Sequence, residues 1–104
     1  PWGSSSRYFA VTRVRGPAWD DSRPMREQNG WPEHARFMNE LAASGFIVLG
    51  GPLGDEERSF LLICEAEDED AVRSRFAADP WSGRKLEVSS VELWEILLGH
   101  TPPQ

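Results

Sequence analysis

The sequence lacks several features that would assign it to a particular class of protein. It has one cysteine in 104 residues, Cys64, which excludes an internal disulfide and a cysteine-based zinc cluster. A reducing compartment fits this count, so we expect a cytoplasmic protein. No apolar run approaches the roughly 20 residues of a membrane span, and the polar start does not resemble a signal peptide. A net charge of −6 argues against nucleic acid as the main partner.

Motifs for cofactors and metals are also missing. The Gly-x-Gly spacing of nucleotide-binding loops does not occur, and no nucleophile-elbow motif supports Ser–His–Asp hydrolysis. The two histidines, His34 and His100, have no spacing that suggests metal ligands. We therefore expect neither a cofactor nor a metal, and neither a membrane nor a nucleic-acid partner.

What is present indicates one small globular domain. Hydrophobic residues make up 39% of the chain and charged residues 27%, a composition that allows one modest core. Residues 1–6 are predicted to be a disordered or artificial leader, residues 7–98 the folded domain, and residues 99–104 an irregular tail with two prolines. Five tryptophans exceed what so small a core needs, and two of them, Trp19 and Trp31, fall in predicted loop.

Hydrophobic periodicity predicts six elements. One helix is marked by Pro32 in its first turn, by an apolar stripe that begins at His34, and by a stop at Gly45. The other begins near Asp68 and ends at Asp79, because the residue before a proline leaves the helical region. The predicted strands are residues 7–15, 46–49, 59–64 and 85–98, the last bent or bulged near Ser89 and Ser90, with a long loop over 16–30 and a turn over 50–55.

The order βαββαβ predicts an α+β fold of the ferredoxin-like kind, with a four-stranded antiparallel sheet and two helices on one face. The segments 46–49 and 60–64 are apolar on both faces, whereas an open sheet face is usually polar. A second copy of the chain is the simplest cover, so we expect a homodimer in which two sheets pack into a dimeric α/β barrel.

Chain direction in this fold brings three loops, residues 16–32, 50–57 and 79–85, to one end of the sheet. We expect His34 and Asp79 to share that end of the sheet, with contact between them left open, and they are the candidate catalytic pair. The positive end of the helix dipole favours a neutral imidazole at His34, which suits a general base, and Asp79 would orient it. The alternative is structural: a partly buried histidine at a helix start and an aspartate that fixes a turn.

Further candidates for binding a substrate come from the same end of the sheet. Arg13 would bind an anionic group, unless it is a surface arginine, and Asp20 would be a second acid, unless it is an ordinary loop residue. The turn Gly50-Gly51-Pro52 would let a ligand approach the backbone, unless it is only a tight hairpin turn. Three tryptophans, Trp19, Trp31 and Trp81, would line a pocket, unless they only pack the loops. The candidates that would contact the substrate are Arg13, Trp19, Asp20, Trp31, Gly51, Pro52 and Trp81.

Four short motifs together resemble the YCII-related proteins of the dimeric α/β-barrel superfamily, over about residues 7–98. They are His34-Ala35-Arg36-Phe37-Met38 with Leu41 and Gly45, then Gly50-Gly51-Pro52, Asp79-Pro80-Trp81, and Trp94-Glu95-Ile96. Trp19-Asp20 and the spacing Gln28-x-x-Trp31-x-x-His34 are similar to one bacterial subgroup of uncharacterised small proteins. The loop over 16–30 is longer than in the shortest members.

The resemblance implies a homodimer whose sheets face each other, with a pocket near a His–Asp pair at positions 34 and 79. Related barrels dehydrochlorinate or isomerise ring-cleavage and hydroquinone-type compounds. Haem binding, which occurs elsewhere in the superfamily, is not implied because no matching proximal histidine is present.

Two functions follow from the sequence and the resemblance. The first is a cofactor-independent lyase or isomerase that acts on a small unsaturated or aromatic-derived compound by His–Asp proton transfer. The second is a non-catalytic dimeric module that binds a small ligand or regulates a partner. A third possibility is an accessory protein with no small ligand.

Overall fold

The computed structural model describes residues 7–99. The predicted leader over 1–6, and all of the predicted tail except Gly99, lie outside the described residues. The elements in chain order are β1 Arg7–Arg15, a single 3₁₀ turn Met25–Glu27, α1 Trp31–Ala43, β2 Ile47–Leu53, β3 Ser59–Ala66, α2 Glu69–Ala77 and β4 Leu86–Leu93.

The four strands form one antiparallel sheet in the order β2-β3-β1-β4. This arrangement, with a helix after β1 and another after β3, confirms the predicted ferredoxin-like α+β fold. The packing of two such sheets into a barrel stays a prediction. Neither helix of the described chain is long and apolar enough to cross a bilayer.

Two predicted boundaries differ from the structure by more than two residues. The predicted turn at Gly50 is strand, because β2 runs on to Leu53 and Pro52 pairs with Phe60 of β3. β2 lies at the edge of the sheet, which is where a strand tolerates a proline. At the other end, β4 stops at Leu93 rather than at residue 98.

The predicted bulge in the last strand is confirmed. Thr12 pairs with Ser90 while Arg13 pairs with Val88, so Ser89 is the extra residue of β4. The Ser89 hydroxyl donates to the carbonyl of Thr12 at 3.2 Å.

The two helices begin and end where local chemistry requires. Gly30, at φ 82°, precedes α1, and Gly45, at φ 90°, follows it, both in a backbone conformation that favours glycine. The Asp68 carboxylate accepts a hydrogen bond from the amide of Ala71 and caps α2. The stripe of α1 places His34 and Leu41 against the sheet, both buried.

The buried side chains form two clusters. The larger lies between the helices and the sheet and includes Val11, Cys64 and Phe76, all fully buried. The smaller contains Trp19, Phe60, Trp81 and Leu86, with Met25 and Trp31 packed against it. Three of the five tryptophans, Trp19, Trp31 and Trp81, belong to this smaller cluster or pack against it. Their packing fastens the loop over 16–30 to the end of the sheet.

The face of the sheet turned away from the helices keeps large apolar side chains in water. Leu49 is 69% exposed and Leu53 49% exposed, and both pair with the outward side of β3. Trp94, just past β4, is 42% exposed.

Cys64 should be chemically inert in the folded protein. Burial raises the pKa of its thiol to about 12, against a smaller opposing effect from the Arg75 charge. Because only the thiolate is a strong nucleophile, iodoacetamide near neutral pH should leave the native chain unmodified and alkylate the urea-unfolded chain. Mass spectrometry of the two samples checks this, and comparable labelling of both would show that β3 is not closed as described.

Candidate functional site

A cleft of about 480 Å³ lies between α1 and the edge strand β2. Phe60 and Leu62 of β3 form its floor, and the 3₁₀ turn of the long loop contributes to its rim. Its volume falls within the range of roughly 300–1,000 Å³ that small-molecule sites occupy. The remaining lining residues come mainly from α1, which contributes Trp31, His34, Ala35, Met38, Asn39 and Ala42, and from β2, which contributes residues 47–52.

His34 lies in the first turn of α1 and lines this cleft, although only 4% of the residue is exposed. Its Nδ1 is 3.0 Å from Oδ1 and 2.9 Å from Oδ2 of Asp79. The ring is stacked on the indole of Trp81, with centroids 4.0 Å apart and planes 8° from parallel. Position and orientation of the imidazole are therefore both fixed, and Nε2 is the ring nitrogen left for a molecule in the cleft.

Asp79 follows α2 and is 4% exposed. It accepts hydrogen bonds from the Trp81 amide at 2.9 Å and from Nη1 of Arg13 at 2.8 Å, in addition to its contact with His34. Burial opposes ionisation most strongly, yet the bonds from His34, the Trp81 amide and Arg13 together hold the pKa of Asp79 below its ordinary value. An ionised Asp79 only accepts, so the proton of a neutral His34 resides on Nδ1 and Nε2 is free to act as a base.

Arg13 lies in the middle of β1 and is 1% exposed. Besides its bond to Asp79, its guanidinium lies 5.0 Å from the centre of the Phe76 ring, while Nε and Nη2 have no partner. The sequence places Arg13 on the same strand face as Phe9 and Val11, and that face is covered by the helices. Arg13 is thus neither at the surface nor among the residues that line the cleft, and it lies behind the His–Asp pair.

The three tryptophans with a predicted role in binding take different places. Trp31 lines the cleft, with its ring centroid 5.8 Å from that of His34. Trp81 is buried behind His34 and donates from Nε1 to the carbonyl of Asn29. Trp19 is buried further back, against Phe60 and Trp81. Trp31 can thus touch a ligand in the cleft, and Trp81 supports His34.

Only some of the remaining residues that were predicted to contact a substrate lie at the cleft. Gly51 and Pro52 line the cleft as part of β2. Asp20 is exposed on the loop and lies outside the cleft lining. Hydrogen bonds from the hydroxyl and the amide of Ser22 hold the pKa of Asp20 below its ordinary value. The short side chain of Asp20 is therefore occupied by its own turn.

Sequence reasoning did not identify Gln28, which organises the long loop. It is 3% exposed, and its amide donates to the carbonyls of Asp20 and Arg23. Its side-chain oxygen accepts from the amide of Asp20 and from Nζ of Lys85. A glutamine that makes four hydrogen bonds holds the loop in one conformation, and the spacing Gln28-x-x-Trp31-x-x-His34 was the only signal for it.

The cleft also includes residues that were not predicted. Met38 follows His34 and Asn39 follows Ala35 by four residues, about one helical turn, so the helix period carried a signal for them. Met25 and Arg26 belong to the 3₁₀ turn, which is too short to show a hydrophobic periodicity from which the direction of their side chains could be predicted. Over residues 7–99, no three His, Cys, Asp or Glu side chains come together in a way that could hold a metal ion.

The sheet order, the two helices and the buried pair at the end of the cleft define a small ferredoxin-like α+β protein with one histidine ring edge presented to a ligand-sized cleft. The YCII-related domain matches residues 9–96, and the chain belongs to this family. The resemblance read from the sequence motifs is thereby confirmed.

A solved structure of 5-chloro-2-hydroxyhydroquinone dehydrochlorinase from Burkholderia phenoliruptrix AC1100, in complex with 2,5-dihydroxybenzoquinone, is similar to this chain. The two are 25% identical and superpose with a TM-score of 0.56, over 88% of this chain and 95% of the other. Among proteins with curated descriptions, the comparison finds no significant match.

The low pKa of Asp79 predicts how stability depends on pH. The folded protein binds fewer protons than the unfolded chain between the lowered pKa and the ordinary aspartate value of about 3.9, so stability is lost as pH falls through that window. Asp79→Asn should cost about 3 kcal/mol near neutral pH, because Arg13 is left buried without its anion, and should lose less stability on acidification than the wild type.

Urea unfolding at a series of pH values measures both effects. Asp21→Asn is the control, since the Asp21 side chain is 84% exposed and should leave the acid profile unchanged. Identical acid profiles for Asp79→Asn and the wild type would contradict the ionised, hydrogen-bonded state of Asp79.

Proposed function

We propose that the protein is a cofactor-independent lyase or isomerase that transfers a proton on a small unsaturated or aromatic-derived compound. The observation that carries the proposal is the His34–Asp79 pair at the cleft, with Nδ1 held by a buried carboxylate and Nε2 left free. A histidine fixed in this way is suited to general base catalysis, because its protonated form is stabilised by the same carboxylate.

The reaction begins when Nε2 takes a proton from a carbon next to a carbonyl or enol. The C–H bond breaks, its electron pair delocalises into an enolate, and His34 becomes an imidazolium paired with Asp79. In an isomerase the imidazolium returns the proton to another carbon of the conjugated system. In a lyase the electron pair forms a double bond and expels a leaving group such as chloride, and the proton passes to water.

Arg13 and Trp81 act on this step through their neighbours. Arg13 helps to keep Asp79 ionised, so that Asp79 does not take the proton from Nδ1. It is a positioning residue, because its burial leaves no route to an oxyanion in the cleft. Trp81 holds the imidazole plane and, with Trp31 on the cleft side, excludes water from part of the histidine.

The comparison with the dehydrochlorinase supports the reaction class. That enzyme is named for the removal of hydrogen chloride from a chlorinated ring, and its structure contains a quinone. The apolar walls of the cleft here, such as Trp31, Met38 and Leu62, suit a ring or a conjugated chain of similar size.

The second candidate function is a non-catalytic module that binds a small ligand. The observation in its favour is that the His–Asp pair is itself well buried and bonded, as a structural pair would be. In this case the cleft would bind its ligand unchanged, and His34 would serve the fold.

Deuterium incorporation distinguishes the two functions. α-Angelica lactone, an uncharged β,γ-unsaturated lactone, should exchange its acidic hydrogen and isomerise to the conjugated lactone in D₂O with the wild-type protein. His34→Asn should lower the rate about 100-fold or more, the usual contribution of a general base. Proton NMR follows both reactions. Glu33→Gln, an exposed change in the same helical turn, should retain the wild-type rate.

Equal rates for wild type and His34→Asn would remove the catalytic role of His34. Binding of the lactone without any exchange above the buffer rate would favour the binding module.

We also propose that two copies pair through the sheet faces that point away from the helices, with the exposed leucines of β2 as part of the contact. Leu49 and Leu53 support this, since large apolar side chains on one face usually mark an interface. Sedimentation should give twice the chain mass for the wild type, and Leu53→Asp should weaken the dimer. Ser74→Glu, on the exposed side of α2, is the control. A monomeric wild type would contradict the pairing.

A further inference from the structure

The charge of the cleft is opposite to that of the chain. The whole chain carries a net charge of −6. Among the sixteen residues that line the cleft, however, no aspartate or glutamate occurs, and the one permanently charged side chain is Arg26. The residues that line this opening therefore favour an anion, although the chain as a whole is acidic.

Arg26 is held at the rim by an ordered turn. It lies in the 3₁₀ turn Met25–Glu27, which is closed by a hydrogen bond from the Gln28 amide to the Met25 carbonyl. The Met25 amide donates to Oε1 of Glu57 at 2.8 Å, which fixes the turn to the loop after β2. The backbone that carries Arg26 is thus positioned, while its side chain is exposed to solvent.

The guanidinium of Arg26 has no competing partner in the described chain. Within residues 7–99 no carboxylate oxygen lies within 4.0 Å of it, whereas Arg13, Arg15, Arg23, Arg58 and Arg73 all form ion pairs. The nearby acid Glu57 is engaged with the Met25 amide. Arg26 is available to a ligand at no cost in broken ion pairs.

The start of α1 adds to the positive potential. Trp31 and His34 line the cleft from the first turn of this helix, and the N-cap residue, Gly30, supplies no side-chain acceptor for the first-turn amides. The positive end of the helix dipole therefore reaches the cleft, while the one acid of the first turn, Glu33, is exposed and lies outside the cleft lining. This helix end lies beside the base, because His34 is in the first turn of α1.

We infer that the cleft takes an anionic small molecule, a conjugated or aromatic carboxylate, with its carboxylate paired to Arg26 and its apolar part against Trp31 and Met38. This inference deepens the proposed function by naming the substrate class, and it rests on that function only for the placement of a reacting carbon near His34. Removal of a proton from such a molecule sends further negative charge into its conjugated system, where Arg26 and the helix end offset it.

The test is the affinity of the full chain for two matched probes, trans-cinnamate and cinnamamide, measured by titration calorimetry. They share a ring and an unsaturated chain and differ in charge. Wild type should bind the carboxylate roughly five- to tenfold more tightly than the amide. The preference should shrink as salt is added, because the pair at the rim is screened.

Arg26→Gln should remove most of the preference for the carboxylate and leave the affinity for the amide unchanged. The control is Arg36→Gln, which removes the same charge from an exposed position of α1 outside the cleft lining and should retain the preference. Equal affinity of wild type for the two probes, no binding of cinnamate at millimolar concentration, or an unchanged preference in Arg26→Gln would each overturn the inference.

The failure of this inference is distinguishable from the failure of the proposed function. The lactone used to test proton transfer has no carboxylate, so its binding does not require an ion pair with Arg26. Cinnamate selectivity that requires Arg26, in a protein that exchanges no lactone hydrogen, would support the anion site and reject the base. Lactone exchange with no cinnamate selectivity would support the base and reject the anion site.

Discussion

The Asp79 carboxylate is a buried negative charge, and much of the structure is arranged to make that burial tolerable. An isolated carboxylate in a protein interior costs several kcal/mol unless donors compensate it. Here the donors are Arg13 from β1, His34 from α1 and the backbone of Trp81. A single side chain thereby joins a strand, a helix and the connection between α2 and β4. The histidine that faces the cleft is held by the interaction that holds these elements together.

The long loop over 16–30 belongs to the site rather than to the outer surface alone. Trp19 anchors it in the smaller core cluster, and Gln28 satisfies its backbone groups where water is excluded. This anchoring lets the 3₁₀ turn project Met25 and Arg26 to the cleft. Loops of this length in small domains are commonly functional, and this one supplies the charge that its cleft would otherwise lack.

Much of the fold and part of the site were predictable from sequence, for physical reasons that differ by residue. The stripe of α1 turned His34 toward the sheet, and the direction of the strands brought Asp79 to the same end. Burial of Arg13 was harder to predict, because arginine is seldom fully buried and the pairing depends on Asp79, 66 residues away. The strand at Gly50 was missed because two glycines and a proline favour a turn locally, and only pairing with β3 makes them extended. The side of the loop from which Arg26 projects could not be predicted, because a single 3₁₀ turn has no repeating hydrophobic pattern.

The stacked indole of Trp81 has a stereochemical consequence for the base proposed here. With Trp81 on one face of the imidazole at 4.0 Å and Asp79 on Nδ1, the ring can neither rotate nor tilt far. The lone pair of Nε2 therefore has one fixed direction in the cleft. The base can approach a flat ligand bound there only from one face of that ligand. A proton removed along that line returns along it, so that a shift between two carbons of a bound planar molecule is suprafacial and a deuterium label enters with a single handedness.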